Sequence, residues 1–120
     1  MKKILLIEDN REVAESIADI LILSGYIVSV ALNGDKGKQS LFHYRPDLII
    51  SDIIMPGMNG LDLLQLIRKD PIYTKLPVIL LSGKTADRDV MDGMNAGANV
   101  YLRKPCDTDE LVLSVSQLID

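Results

Sequence analysis

The sequence predicts an α/β fold: five βα units wound into a three-layer sandwich around a parallel five-stranded sheet. Three observations predict it. Short apolar runs of strand length alternate five times with segments whose apolar residues recur at helical spacing. The strand-like runs are continuously apolar, as parallel strands covered on both faces require. The connections are short, so each strand is followed by its own helix, and right-handed crossovers leave few topologies.

Lys3 to Ile7 (KILLI) reads as the first strand. Arg11 to Ser24 reads as the first helix, with Asn10 as N-cap and Val13, Ile17, Ile20, Leu21 and Ser24 on one stripe; Gly25 stops it. Tyr26 to Val30 is β-branched and strand-like. Asn33 and Gly34 open a weaker helix ending near His43, because Gly34 and Gly37 lower its propensity. Asp47 to Ser51 is the third strand. Gly60 to Lys69 is a helix with Leu61, Leu64 and Ile67 on one face, closed by Pro71. Pro77 to Leu81 is the fourth strand, and Asp87 to Ala96 a helix with acids in its first turn, which suits the helix dipole. Asn99 to Leu102 is a short fifth strand. Thr108 to Ile119 closes the chain, with Asp107 and Glu110 at capping-box spacing and Leu111, Val115 and Leu118 facing inward. Five such units favour the flavodoxin-like strand order 2-1-3-4-5, whose functional crevice lies at the carboxyl ends of the strands.

At 120 residues the chain is expected to form one domain, residues 1–120. Its hydrophobic share of 48% and charged share of 25% are those of a soluble globular protein. No apolar run approaches the ~20 residues of a membrane helix. Glu8 and Asp9 interrupt the first run too early for a secretory leader, so a cytoplasmic protein is expected. Cys106 is the single cysteine, which excludes an internal disulfide and a cysteine metal cluster. A net charge of −4 and the absence of Trp argue against a nucleic-acid surface.

The residues after each strand carry the chemistry. Glu8 and Asp9 follow the first, Asp52 the third, Ser82 the fourth, and Lys104 with Pro105 the fifth. Burying Asp52 at a strand end, ahead of a Pro–Gly break, is costly unless a cation compensates it or the crevice is open. Carboxylates gathered this closely repel one another and resist ionisation. A hard divalent cation removes that conflict, and Mg²⁺ (or Mn²⁺) suits an oxygen-only donor set better than zinc does. Lys104 and Ser82 then suit an anion with several oxygens, such as a phosphoryl group. Asp52 is the candidate nucleophile, forming an aspartyl phosphate.

At these residues the chain resembles the receiver domain of two-component response regulators. IEDN matches the family's acidic pair, SDIIMPGMNG its phosphoacceptor segment, LLSGK its hydroxyl position, and AGANVYLRKP its closing motif with Tyr101, Lys104 and Pro105. The resemblance implies a phosphohistidine donor, either a histidine kinase or a phosphotransfer protein. It implies Mg²⁺ held by Glu8, Asp9, Asp52 and the backbone carbonyl of Ile54, and a cis Lys104–Pro105 bond. It implies that Ser82 is drawn to the phosphoryl group, that Tyr101 turns inward, and that the surface of helix four, strand five and helix five switches. A monomer, or a dimer formed on phosphorylation through that surface, is expected on the same ground. The output partner is not named by the sequence, and direct nucleic-acid or membrane binding is not expected. Three residues depart from the family pattern: Gly83 where Ala is usual, Cys106 where Phe is usual, and the apolar Ile54 beside the phosphoacceptor.

Taken singly, these residues have ordinary explanations. Glu8 and Asp9 suit a helix start, Asp52 a turn, Ser82 a cap, Lys104 a solvated surface and Tyr101 plain packing. His43 reads as a surface residue and Cys106 as an apolar filler. The competing functions are a pseudo-receiver acting only as a protein-binding module, a flavin carrier and an aspartate-nucleophile phosphatase. The carrier needs a phosphate-cradling loop where EDNRE stands, and the phosphatase needs a second acid where Ile54 stands. A turnover enzyme is therefore not expected.

Overall fold

The computed structural model describes residues 1–83 and 87–120, and of Asp87 the backbone alone. Lys84, inside the LLSGK stretch, and the side chain of Asp87, an acid expected in the first turn of the fourth helix, lie outside the described residues. Ten elements alternate: β1 (Lys3–Ile7), α1 (Arg11–Leu23), β2 (Ile27–Ala31), α2 (Gly34–Tyr44), β3 (Leu48–Asp52), α3 (Gly60–Lys69), β4 (Val78–Ser82), α4 (Asp87–Asn95), β5 (Val100–Arg103) and α5 (Thr108–Ile119). The sheet runs β2-β1-β3-β4-β5 with every pair parallel, the order the sequence predicts.

Successive strand residues face opposite sides, and each side has its own core. Ile4, Leu6, Ile50 and Ile79 pack under Leu21 of α1 and Leu111 and Val115 of α5. Leu5, Ile7, Ile49 and Leu80 pack under Leu41 of α2 and Leu64 and Ile67 of α3. Asn10, Asn33 and Asn59 cap α1, α2 and α3 by accepting the amides of Val13, Lys36 and Asp62 at 3.2, 2.7 and 2.9 Å. Asp107 caps α5, accepting from the Asp109 amide at 2.8 Å. No helix among the described residues is long and apolar enough to cross a membrane.

Four strands are displaced by one residue from the sequence reading. β3 and β4 run on to Asp52 and Ser82, because the ladder still pairs Asp52 with Leu81 and Ser82 with Arg103. β2 and β5 likewise begin and end one residue later than read. On α1 the buried stripe is Ala14, Ile17, Ala18 and Leu21, whereas Val13 is exposed. Small alanines let the helix approach the sheet, and Val13 falls on its shoulder.

Candidate functional site

Five parallel strands bring their carboxyl ends to one edge, and the candidate residues meet there. Glu8 follows β1 and is held by its amide, which donates to the carbonyl of Ala31 at 3.0 Å. Its side chain is 1% exposed and pairs with the Lys104 ammonium. Asp52 ends β3 and is 8% exposed. Its Oδ1 accepts the Ile53 amide at 2.9 Å, and its Oδ2 lies 3.1 Å from Lys104 Nζ. Asp9 is exposed at the rim. One carboxylate oxygen from each of Glu8, Asp9 and Asp52 lies within 4.8 Å of the other two. Lys104 is placed by its own amide, which donates to the carbonyl of Ser82 at 2.8 Å, and the Lys104–Pro105 bond is cis.

The electrostatics leave this cluster short of positive charge. Partial desolvation at the rim raises the Asp9 pKa, and the neighbouring Glu8 raises it further by hydrogen bonding and charge. Burial alone would lower the Lys104 pKa, but hydrogen bonds and charge from Glu8 and Asp52 outweigh it and the net shift is upward. Lys104 is thus a fixed cation, and among the described residues its ammonium alone faces the three carboxylates. The donors are oxygens only, two of them on buried side chains that cannot turn to solvent. That set suits a hard divalent cation such as Mg²⁺.

Ser82 is buried at the end of β4. Tyr101 is 9% exposed, so its ring already lies inward, against Gly93 of α4. Ile54 is 59% exposed, two residues beyond Asp52 in the sequence. An open groove of about 590 Å³ adjoins the site, lined by Val13, Ile17, Ile20, Cys106 and Leu111, with Lys104 among its walls.

A family model described as the response regulator receiver domain matches residues 4–116. The chain belongs to this family. Among similar proteins, "Probable transcriptional regulator ycf29" of Porphyra purpurea is 41% identical over 97% of this chain and 56% of its own. The "DNA-binding dual master transcriptional regulator RpaA" of Synechocystis is 32% identical over 99% of this chain and 49% of its own. The chain therefore spans about half the length of these relatives. Among solved structures, the Francisella response regulator 1452 receiver domain has a TM-score of 0.94 at 30% identity, covering 99% of this chain and 97% of that one. Vibrio cholerae chemotaxis protein CheY4 has a TM-score of 0.92 at 27% identity, covering 98% of both chains. Receiver domains are signalling modules, and the acidic cluster of this receiver fits their Mg²⁺ pocket.

Two residues of the SDIIMPGMNG segment support the site through contacts that the sequence does not announce. Ser51 reads only as part of an apolar strand, yet its hydroxyl donates to the Asp52 carbonyl at 2.8 Å. Gly60 reads as a helix start and as part of the phosphoacceptor segment, and a Cβ there would stand 2.3 Å from that same carbonyl oxygen.

Proposed function

We propose that residues 1–120 form one receiver domain that accepts a phosphoryl group on Asp52 from a phosphohistidine of a histidine kinase or phosphotransfer protein. The supporting observation is the Asp52 carboxylate at the carboxyl end of β3, 3.1 Å from Lys104 and grouped with Glu8 and Asp9. A carboxylate oxygen of Asp52 forms the O–P bond while the N–P bond to the donor imidazole breaks, its electron pair staying on nitrogen. Glu8, Asp9, Asp52 and the Ile54 carbonyl would hold Mg²⁺, which would supply charge neutralisation at the phosphoryl oxygens. Lys104 exchanges its contact with Asp52 for one with the phosphoryl group. Ser82 donates to another phosphoryl oxygen and, with Tyr101, biases the α4–β5–α5 surface between two states. The apolar groove gives a donor protein a docking surface beside the nucleophile. Ile54, apolar and exposed two residues beyond Asp52, would hinder an attacking water and alter the dephosphorylation rate.

No turnover of external substrates follows from this arrangement. The DNA-binding function in the name of RpaA belongs to a protein about twice as long, and no nucleic-acid contact is proposed for residues 1–120, whose net charge is −4. A cytoplasmic monomer, or a dimer on phosphorylation, completes the proposal.

Intact-mass measurement after incubation with acetyl phosphate tests it. The expected result is a single phosphoryl gain that requires Mg²⁺, maps to Asp52, disappears with hydroxylamine and is absent from Asp52→Asn. A gain that persists in Asp52→Asn sinks the assignment. No gain from acetyl phosphate or from phosphohistidine donors favours the pseudo-receiver, a module that only binds protein.

A further inference from the structure

The second helix contains two glycines that weaken it, and both are buried. At Gly34, the first residue of α2, a Cβ would stand 2.2 Å from the carbonyl oxygen of Met58 and 3.0 Å from its carbonyl carbon and Cβ. No side chain tolerates that approach, so the helix start lies directly against the backbone of the loop joining β3 to α3. That loop runs from Asp52 to Gly60 and contains Ile54.

We propose that Gly34 is a positioning residue for the Mg²⁺ site, an inference that rests on the reading of that site given above. The loop is anchored on three sides. Its two ends meet where the Gly60 amide donates to the Ile53 carbonyl at 2.9 Å and Gly60 abuts the Asp52 carbonyl. Met55 is buried in the core beneath the sheet. The remaining side is held by α2: Gly34 abuts Met58, and the next residue, Asp35, places Oδ2 3.1 Å from where a Cβ on Gly57 would be. α2 is itself seated on β1, since a Cβ on Gly37 would stand 2.5 Å from Cδ1 of Ile7, the residue before Glu8. One helix face therefore sets the spacing between the loop carrying Ile54 and the strand end carrying Glu8. A methyl group at Gly34 has to displace the Met58 backbone, and with it the loop, relative to Asp52 and Glu8.

Gly34→Ala and a control, Gly97→Ala, test this by Mg²⁺ titration calorimetry on the full chain. Gly97 is also a position hostile to a side chain, with φ 112° and Arg68 Cγ 3.0 Å from where a Cβ would stand, but it precedes β5 at the opposite edge of the sheet. Gly34→Ala is expected to weaken Mg²⁺ binding about tenfold, the scale seen when the supports of metal ligands are altered. Gly97→Ala is expected to lose thermal stability and keep its Mg²⁺ affinity. Wild-type affinity in Gly34→Ala, or equal weakening in both variants, overturns the proposal. A second measurement does not depend on either variant folding. In wild-type amide spectra, Gly34 should shift on Mg²⁺ addition with the same midpoint as Asp52 while Gly97 stays still. A Gly34 amide that stays still while Asp52 shifts overturns the positioning role alone. A wild type in which Asp52 and Asp9 ignore Mg²⁺ overturns the site reading, and the role of Gly34 with it.

Discussion

Lys104 holds two acidic side chains at once, Glu8 and Asp52, while its own side chain is 27% exposed. Removing the ammonium leaves Glu8, Asp9 and Asp52 facing one another without it. Lys104→Gln is therefore expected to destabilise the metal-free protein by about 1–3 kcal/mol, below a fully buried pair because solvent screens part of the interaction. Mg²⁺ in the proposed site would supply positive charge to the same three carboxylates, so saturating Mg²⁺ should recover most of that loss. Urea unfolding with and without Mg²⁺ checks this. An equal loss in both conditions means that Lys104 does not share charge with the metal site. The residues of the cluster were legible in the sequence because each follows a strand, and parallel topology brings all strand ends to one edge. Arg68 was not legible. It donates to neutral acceptors, the carbonyls of Gly97 and Leu76 at 2.9 and 2.7 Å and Asn99 Oδ1 at 3.0 Å, and no sequence pattern announces backbone acceptors. Cys106 behaves as the packing residue it reads as: burial raises its thiol pKa, which opposes reactivity.

At the scale of elements, propensity and packing disagree wherever a helix glycine is buried. α2 reads as the weakest helix because of Gly34 and Gly37, yet tertiary contact requires both, so a low propensity marks a close approach. α4 carries the same signal at Gly93, where a Cβ would meet Tyr101 Cδ2 at 2.9 Å and Leu80 Cδ1 at 3.2 Å. Helix propensity alone favours alanine there by about 1 kcal/mol. Overpacking opposes it by about 1–3 kcal/mol, since the ring of Tyr101 must move. Gly93→Ala should therefore be net destabilising in wild type and close to neutral once Tyr101→Ala empties the space. A double-mutant cycle by urea unfolding measures the difference, with an expected coupling of about 1 kcal/mol or more. Additive effects would show that Gly93 does not hold Tyr101 in its inward place. Strand ends were legible only to within one residue, because hydropathy falls at Asp52 and Ser82 while the hydrogen-bond ladder does not.

At the scale of the whole molecule, strand order, layers and the functional edge were legible, since they follow from the alternation of elements. Contacts between the chain's distant parts were not. Tyr26 reads as the start of a strand, yet it is buried before β2, and its hydroxyl donates to Asp120 Oδ2 at 2.7 Å, across 94 residues. This bond ties the turn after α1 to the end of α5. Burial first, then the hydrogen bond and charge of Asp120, push the Tyr26 pKa from 10.0 up to about 12. The folded state therefore keeps the phenol proton over a range in which the unfolded chain releases it. Its contribution to stability is fully present below pH 10.0 and is lost as pH rises through about 12. Tyr44, whose pKa burial and Asp47 also raise, adds a slope of the same sign. Urea midpoints taken from about pH 9 to 11.5 should fall steeply for wild type and less steeply for Tyr26→Phe, with Tyr44, Cys106 and Lys104, whose pKa values are also raised, contributing to the residual slope. Asp120→Asn should lie between the two, because it removes the charge and leaves the phenol buried. Parallel pH profiles for wild type and Tyr26→Phe would show that the Tyr26–Asp120 bond does not join the turn after α1 to the end of α5 in solution.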